Sequence, residues 1–184
     1  MRIRTSSVAA TAFAAAAALF AGAMTAPQAA QAAAPVPQVR HGAVTATCGL
    51  KDLSFKVQNV SRPINHALLV ATNTGSAPCN AVRAPFVGFD DSQYVLGSLE
   101  ASAPQAVVTL QPGQSAYAGI KTSTADDSAN WGYFAKTARI SLDTGDGSGG
   151  STSTVTVRLP QKTWIDDTAW VTYWQTDAES ALSW

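Results

Sequence analysis

The stretch from residue 66 to residue 85 limits the fold most strongly, because it combines a strand, a reversal and a cysteine. Residues 67–72 are apolar on both faces, which predicts a central strand of a sheet. The N-T-G sequence at residues 73–75 then supplies side chains that hydrogen-bond to local backbone and a glycine that tolerates positive φ. We expect the chain to reverse there and to bring Cys79 back towards the strand.

Alternation of apolar and polar residues predicts further short strands. With the central strand, the predicted strands cover residues 50–60, 67–72, 85–89, 94–96, 106–110, 115–121, 138–142, 154–159 and 169–175. The Q-P-G-Q sequence at residues 111–114 is a strong turn signal and predicts a hairpin, and the glycine-rich residues 143–153 predict the long tip of a second hairpin. Residues 177–182 favour a short helix capped by Asp177. The pattern predicts an all-β domain, an immunoglobulin-like antiparallel β-sandwich, with a closed barrel as the alternative.

The first residues have the three-part organisation of a secretory signal peptide. Arg2 and Arg4 precede an apolar, alanine-rich run over residues 8–24, and small residues near Ala32 fit a cleavage site. We predict a signal peptide at residues 1–32, a flexible tether at residues 33–46 and the folded domain at residues 47–184. A transmembrane anchor is the alternative, but the run contains polar residues and no stop-transfer charges follow it. The prediction is therefore a secreted, extracellular protein.

Cys48 and Cys79 are the only cysteines in the chain. An exported chain meets an oxidising environment, and two cysteines allow one pairing, so a disulfide is the default prediction. The alternative is a nucleophilic thiol or a metal ligand. A zinc site would need further ligands, and the chain contains only His41 and His66 as histidines.

Charge limits the class of partner. Removing residues 1–32 takes away Arg2 and Arg4 and no acid, so the 12 basic residues become 10 against 12 acidic residues. A chain with this balance lacks the excess of positive charge that attracts nucleic acid or an anionic membrane surface. We expect neither as a partner, no membrane insertion after cleavage, and a monomer.

Tryptophan is concentrated near the C-terminus. Of the five tryptophans, Trp164, Trp170, Trp174 and Trp184 lie in the last 21 residues. Exposed tryptophan and tyrosine side chains offer sugars or peptides a large, rigid contact area with a polar group. The candidate ligand-binding residues are therefore Trp170, Tyr173, Trp174 and Trp184. The alternative is that Trp170, Tyr173 and Trp174 fill the space between two sheets.

No residue pattern indicates catalysis. Ser115 lies in G-Q-S-A-Y, which lacks the second glycine of a nucleophile elbow, and His66 would have to act as its base. The adjacent acid pairs are Asp90-Asp91, Asp126-Asp127 and Asp166-Asp167. Adjacent acids in predicted loops are more often turn formers than the two separated carboxylates of a glycosidase. Residues 143–147 superficially match a calcium-binding loop but miss its acid spacing. We predict no enzymatic activity, no cofactor and no metal.

Several sequence blocks resemble one family. They are C-G-L-K-D-L from Cys48, L-L-V-A-T-N-T-G-S-A-P-C ending at Cys79, A-P-F-V-G-F from Ala84, L-Q-P-G-Q-S-A-Y-A from Leu110 and W-V-T-Y-W-Q-T-D-A from Trp170. This order is similar to the secreted proteins of actinobacteria, the high-GC Gram-positive bacteria, that are grouped as domain of unknown function 4232. The resemblance covers about residues 48–184. It implies an immunoglobulin-like sandwich, an exported or cell-surface location, a disulfide between the two cysteines and no assigned activity.

The expected function is that of a secreted, non-enzymatic β-sandwich module that binds an unknown cell-envelope or extracellular ligand. The alternatives are an inhibitor of an extracellular hydrolase and a structural protein of the envelope. An inhibitor needs a rigid exposed loop, and the glycine-rich residues 143–153 count against it.

Overall fold

The computed structural model describes residues 44–126, 128–147 and 149–184. The predicted signal peptide, residues 1–32, and residues 33–43 of the predicted tether lie outside the described residues. Within the described ranges the elements are β1 (Leu53–Asn59), β2 (His66–Asn73), β3 (Cys79–Ala81), β4 (Phe86–Phe89), β5 (Gly97–Leu99), β6 (Val108–Leu110), β7 (Ser115–Lys121), β8 (Gly132–Ser141), β9 (Val155–Asp166), β10 (Trp170–Thr172) and α1 (Ala178–Leu182). No helix in these ranges has the length and apolar character needed to cross a bilayer.

Two sheets enclose one hydrophobic core. One sheet has the strand order β1-β2-β7-β10-β5 and the other has the order β4-β8-β9, while β3 and β6 form a two-stranded ribbon. Every pair is antiparallel except β5 with β10. The fully buried core side chains include Leu69, Ala71, Val87, Ala116, Ala118, Ile120, Ala138, Ile140, Val171 and Trp174. The predicted all-β sandwich is confirmed, and its immunoglobulin-like topology stays a prediction.

Strand β2 is the central strand that its sequence predicts. It pairs with β1 on one side and with β7 on the other. Leu69 and Ala71 are buried in the core, and Leu68 is buried on the opposite face, on which α1 packs. Gly119 pairs with Leu68, and a Cβ atom at Gly119 would lie 2.0 Å from the carbonyl oxygen of Ala181 in α1. The apolar residues on both faces of β2 are thus explained by the second sheet and by the helix.

Two predicted local features are present. A disulfide joins Cys48, just before β1, to Cys79 at the start of β3, across 31 residues of sequence. Helix α1 begins after Asp177, whose Oδ1 accepts a hydrogen bond from the N–H of Ser180 at 2.7 Å. The disulfide holds the start of the domain against the β3–β6 ribbon, and the cap satisfies an N–H group at the helix start.

The predicted turn at residues 111–114 forms, but the hairpin does not. Gly113 has φ of 83°, and the N–H of Gln114 donates to the carbonyl of Gln111 at 2.9 Å, as the P-G sequence predicts. The flanking strands pair elsewhere, β6 with β3 and β7 with both β2 and β10. Since β7 has a partner along each edge, it has no edge left for β6. The turn therefore carries the chain out of the ribbon and into the large sheet.

Strand β9 continues past the predicted end of the strand at residue 159. It runs to Asp166, and the register against β8 shifts between the pairs Thr137–Arg158 and Ala135–Thr163. Pro160 lies in this irregular stretch of an edge strand, where the missing N–H group of proline removes no ladder hydrogen bond. Because the ladder resumes after Pro160, Trp164 pairs with a residue of β8.

Candidate functional site: an exposed aromatic surface

The aromatic residues that the sequence marks as candidates do not share one exposed face. Trp174 is 1% exposed and belongs to the core, and Tyr173 is also buried. Trp170 is half-buried, with its ring edge-on to His66 at a centroid distance of 5.8 Å. Trp184 is exposed. Of the two interpretations left open by the sequence, burial favours the core for Trp174 and Tyr173.

The polar groups of the segment around Tyr173 are engaged inside the fold. The Tyr173 hydroxyl donates to Oε2 of Glu100 at 2.6 Å, and the Tyr173 N–H donates to Oγ of Ser102 at 2.9 Å. Nε2 of Gln175 donates to the Ser102 carbonyl at 2.6 Å. The hydrogen bond to Glu100, together with burial and the nearby negative charge, raises the pKa of Tyr173. These contacts join the segment after β10 to the 3-10 helix that follows β5 (Glu100–Ser102).

Ser115 and His66 do not form a nucleophile and base. Thr72 pairs with Ser115 at one end of the β2–β7 ladder, and His66 pairs with Lys121 at the other. Six residue steps along a strand separate the two ends, which corresponds to about 20 Å. The Ser115 hydroxyl instead shares a hydrogen bond of 2.7 Å with the Thr72 hydroxyl. This pair cannot carry the proton transfer of a serine hydrolase.

The largest groups of exposed aromatic side chains lie on and beside the β4-β8-β9 sheet. Tyr94, Trp131 and Tyr133 form an aromatic triad: the Tyr94 and Trp131 rings meet edge-on at 6.3 Å, and the Trp131 and Tyr133 rings stack at 6.3 Å. Trp131 is 49% exposed, Tyr94 is similarly exposed and Tyr133 is half-buried. Stacked and edge-on contacts are the favoured geometries of aromatic rings, so the triad is a preorganised surface.

Hydrogen bonds hold the Tyr94 side of the triad. The side chain of Arg139 passes over Gly88, and a Cβ atom added to Gly88 would lie 3.3 Å from Nη2 of Arg139. The same Nη2 donates a hydrogen bond to the carbonyl of Ser92. Oγ of Ser92 accepts a hydrogen bond from the Tyr94 N–H at 3.1 Å. The Tyr133 hydroxyl donates to the carbonyl of Phe89 at 3.3 Å. The sheet thus fixes the loop that presents Tyr94.

A carboxylate fixes the Trp131 side of the triad. The Asp167 carboxylate accepts hydrogen bonds from the N–H and side-chain amide of Asn130 at 3.0 and 2.9 Å, and the Asp167 N–H donates to the Trp131 carbonyl at 3.2 Å. The hydrogen bond from the Asn130 side chain, with smaller contributions from backbone N–H groups, lowers the pKa of Asp167. Asp167 is therefore a positioning residue for Trp131.

A second carboxylate supports the irregular part of β8. Oδ1 of Asp90 accepts hydrogen bonds from the N–H groups of Lys136 and Thr137 at 3.0 and 2.9 Å and from the Thr137 hydroxyl at 3.0 Å. Burial acts to raise the pKa of Asp90, but the hydrogen bonds from Lys136 and Thr137 outweigh it and lower the pKa. Asp90 thereby satisfies the N–H groups that the register shift leaves without a strand partner.

Phe134 and Trp164 form a separate aromatic pair on β8 and β9. They pair across β8 and β9, and their rings meet edge-on at a centroid distance of 5.1 Å. Phe134 is 60% exposed and Trp164 is 42% exposed. They point away from the core, since the flanking Tyr133–Ile165 and Ala135–Thr163 pairs contain the buried residues Ile165 and Ala135. Tyr133 is the strand neighbour of Phe134 and packs against the core, so the triad lies on the other side of β8 from the pair. The outward-facing pair of Phe134 and Trp164 is called the aromatic surface below.

The sequence does not predict most of these exposed rings. Among them, only Trp164 belongs to the C-terminal tryptophan group. The available signal is the run W-G-Y-F at residues 131–134, in which a glycine stands between aromatic residues on a strand. The exposure of these rings depends on the partner of Phe134 and on the register shift near Pro160, and neither is a local property of the sequence.

A cleft of about 530 Å³ lies beside the disulfide. Cys48, Leu50 and Leu142 form its apolar part, and the start of the β8–β9 loop forms a polar wall. Asp143 in that wall is engaged by Nε of Arg83 at 3.2 Å and by the N–H of Gly145 at 2.7 Å. Across the residues that the structure describes, no three acidic, cysteine or histidine side chains lie close enough to hold a metal ion.

Comparison with known proteins identifies one family. The family model of a domain of unknown function (DUF4232) matches residues 48–175, which begins at the first disulfide cysteine and includes all ten strands. No curated protein and no solved structure matches the chain.

Proposed function

The chain belongs to the DUF4232 family, and we propose that it is an exported, non-enzymatic binding module that holds a cell-envelope or extracellular ligand on its aromatic surface. The observation that carries the proposal is the exposure of two neighbouring rings on the outer face of one sheet. Phe134 is 60% exposed and Trp164 is 42% exposed, and the two rings contact each other. Such rings give a ligand contact area at a low cost in conformational entropy.

Export is supported by two features. The Cys48–Cys79 disulfide suits an oxidising compartment, because thiols in reducing cytosol are kept free. The sequence of residues 1–32 has the charged, apolar and small-residue regions of a signal peptide. An extracellular location also limits the ligands to secreted molecules and to the components of the cell envelope.

A binding role is favoured over an enzymatic one by the arrangement of the polar groups. Ser115 and His66 lie at opposite ends of one strand ladder. Asp90, which supports β8, and Asp167, which supports Trp131, are occupied by hydrogen bonds from N–H groups of the fold. Carboxylates held in this way orient side chains, and their lowered pKa values do not suit proton donation near neutral pH.

Co-sedimentation with an insoluble Gram-positive cell wall preparation tests the proposal. We expect the purified protein to sediment with the wall, and we expect Phe134→Ala and Trp164→Ala each to lower the bound fraction at least threefold. Trp184→Ala is the matched control, because Trp184 is equally exposed but lies in the C-terminal tail. If the protein stays in the supernatant, or if only the Trp184 variant loses binding, the aromatic surface is not the binding site.

A further inference from the structure

The β8–β9 hairpin that carries the aromatic pair is also rich in positive charge. Its two strands contain the four basic residues Lys136, Arg139, Arg158 and Lys162. Asp166 is the only acid in them, and it is 2% exposed. The near-neutral balance of the whole chain therefore conceals a local excess of positive charge.

The register places Arg139, Arg158 and Lys162 on the face of the aromatic pair, and the exposed Lys136 lies at the register shift between Ala135 and Thr137. Arg139 pairs with Thr156 and Thr137 pairs with Arg158, while Ala138 and Ile140, on either side of Arg139, are buried in the core. Both arginines therefore lie on the outer face, because successive side chains of a strand point to opposite sides. Lys162 precedes Trp164 by two residues and follows the same alternation. Three residues of β8 separate the Thr137–Arg158 and Phe134–Trp164 pairs, which is about 10 Å.

Among the described residues, the exposed cations of this face form no salt bridge. Lys136, Arg158 and Lys162 are exposed. Within the described ranges of the chain, the ion pair present is between Arg83 and Asp143, which lie outside the two strands. The Asp90 carboxylate attracts Lys136 electrostatically, but its Oδ1 is occupied by N–H groups and by the Thr137 hydroxyl. Arg139 differs from the other three, because its Nη2 is committed to the Ser92 carbonyl. Three cations thus remain open to a ligand.

We propose that the outer face of β8 and β9 binds an anionic polysaccharide. The sugar rings lie against Phe134 and Trp164, and the carboxylate or phosphate groups of the polymer contact Lys136, Arg158 and Lys162. The inference rests on the proposed binding function and names the chemical class of its ligand. Charge complementarity selects an acidic polymer over a neutral one, since a neutral ligand would leave three desolvated cations without a counter-charge.

A polysaccharide fits this face better than a lipid bilayer does. Both aromatic residues lie within paired strands and not at a protruding loop tip, so they can contact a polymer that lies along the sheet. Side chains that anchor a protein in a bilayer must reach about 5–10 Å into the headgroup region. Phe134 and Trp164 could do so only if the polar groups of the whole hairpin approached the lipid.

Calorimetric titration with polyuronate and with neutral dextran of matched chain length tests the inference. We expect polyuronate to bind at least tenfold more tightly than dextran at low salt and to lose at least tenfold in affinity at 0.5 M NaCl, because salt screens exposed charges. The salt series on the unmodified protein requires no variant. Lys136→Gln, Arg158→Gln and Lys162→Gln combined should lower the polyuronate affinity at least tenfold.

The matched control combines Lys51→Gln, Lys56→Gln and Arg62→Gln, which changes the net charge equally at exposed positions outside the hairpin. Its affinity for polyuronate should stay within twofold of the unmodified protein. Equal loss in both triple variants would show a general charge effect and overturn the site.

The remaining outcomes separate this inference from the proposed function. Equal binding of dextran and polyuronate, lost in Trp164→Ala but not in the charge variant, would overturn the anionic ligand and leave the aromatic binding surface intact. Binding to vesicles of anionic phosphatidylglycerol without binding to polyuronate would replace the polysaccharide by a membrane. Absence of binding to polyuronate, dextran and cell wall would overturn both proposals.

Discussion

The indole ring of Trp164 lies directly against the backbone of Gly132, where an added Cβ atom would fall 2.4 Å from Cζ2 of the ring. Gly132 pairs with Asp166, so Trp164 covers the glycine diagonally from the neighbouring strand. An aromatic side chain over a strand glycine compensates for the packing that the glycine lacks. The same contact holds the indole beside Phe134 and sets the orientation of the aromatic pair.

Gly132→Ala is expected to displace Trp164 and to lower the free energy of unfolding by about 1–2 kcal/mol, through overpacking and loss of the aromatic contact. Urea unfolding measures the stability, and the indole N–H resonance of Trp164 reports the displacement. Gly97→Ala is the control, because a Cβ atom at Gly97 meets nothing within 4 Å. An alanine at residue 132 that leaves both the stability and the resonance unchanged would contradict the packing.

Gly119→Ala is expected to detach or shift α1. The new Cβ atom would lie 2.0 Å from the Ala181 carbonyl oxygen, and a backbone atom of a packed helix cannot move aside as a side chain can. We expect a loss of about 2–3 kcal/mol in the free energy of unfolding, together with faster amide exchange in residues 178–182. Normal exchange protection of α1 in this variant would show that the helix does not need the glycine.

Acid should weaken the support that Asp90 gives to β8. The folded-state pKa of Asp90 is lowered from 3.8, so its ionised form stabilises the fold fully above pH 3.8. That contribution is lost as the pH falls from 3.8 through the folded-state pKa. Asp90→Asn should lose about 1 kcal/mol at pH 7 and should lose less further stability than the unmodified protein between pH 6 and pH 2.5.

Urea unfolding at the two pH values measures this effect. Asp91→Asn makes the same charge change at the exposed neighbouring residue and should keep the full acid-dependent loss. Identical pH dependence in the Asp90 variant and the unmodified protein would exclude the carboxylate as the stabilising group.

Loss of the disulfide should destabilise the domain without removing the aromatic surface. The crosslink spans 31 residues of sequence, and the chain-entropy model assigns about 3–4 kcal/mol to a loop of that length. Cys48→Ala combined with Cys79→Ala should lower the free energy of unfolding by that amount. The unreduced, unfolded parent protein should contain no thiol that titrates, and two free thiols would contradict the crosslink.

Local sequence was sufficient for the parts of the fold that depend on local chemistry. The two apolar faces of β2 identified a central strand, the P-G dipeptide located the turn at residues 111–114, and Asp177 marked the start of α1. The single possible pairing of two cysteines indicated the disulfide. Each of these features depends on residues close in sequence or on an elementary count.

The candidate site could not be predicted in the same way. Trp174 and Trp164 are ten residues apart in one aromatic segment, yet the first is buried and the second is exposed. The difference comes from strand pairing. Trp174, two residues after β10, lies in the core, while Trp164 lies on the outer face of β9 opposite Phe134. Which face of a strand meets the other sheet is decided by register between distant segments.

The sequence by itself therefore determined an all-β chain with a central strand, a disulfide and a short capped helix, because apolar periodicity and turn residues act over a few positions. Only the tertiary structure decided that β6 pairs with β3 and not with β7, and that the β8–β9 pairing resumes after Pro160. It also decided that the aromatic pair shares one face with Arg139, Arg158 and Lys162. These outcomes depend on the competition of strands for edges and on register between β8 and β9. Net charge is a sum over the chain, and it carries no information about where the charges meet.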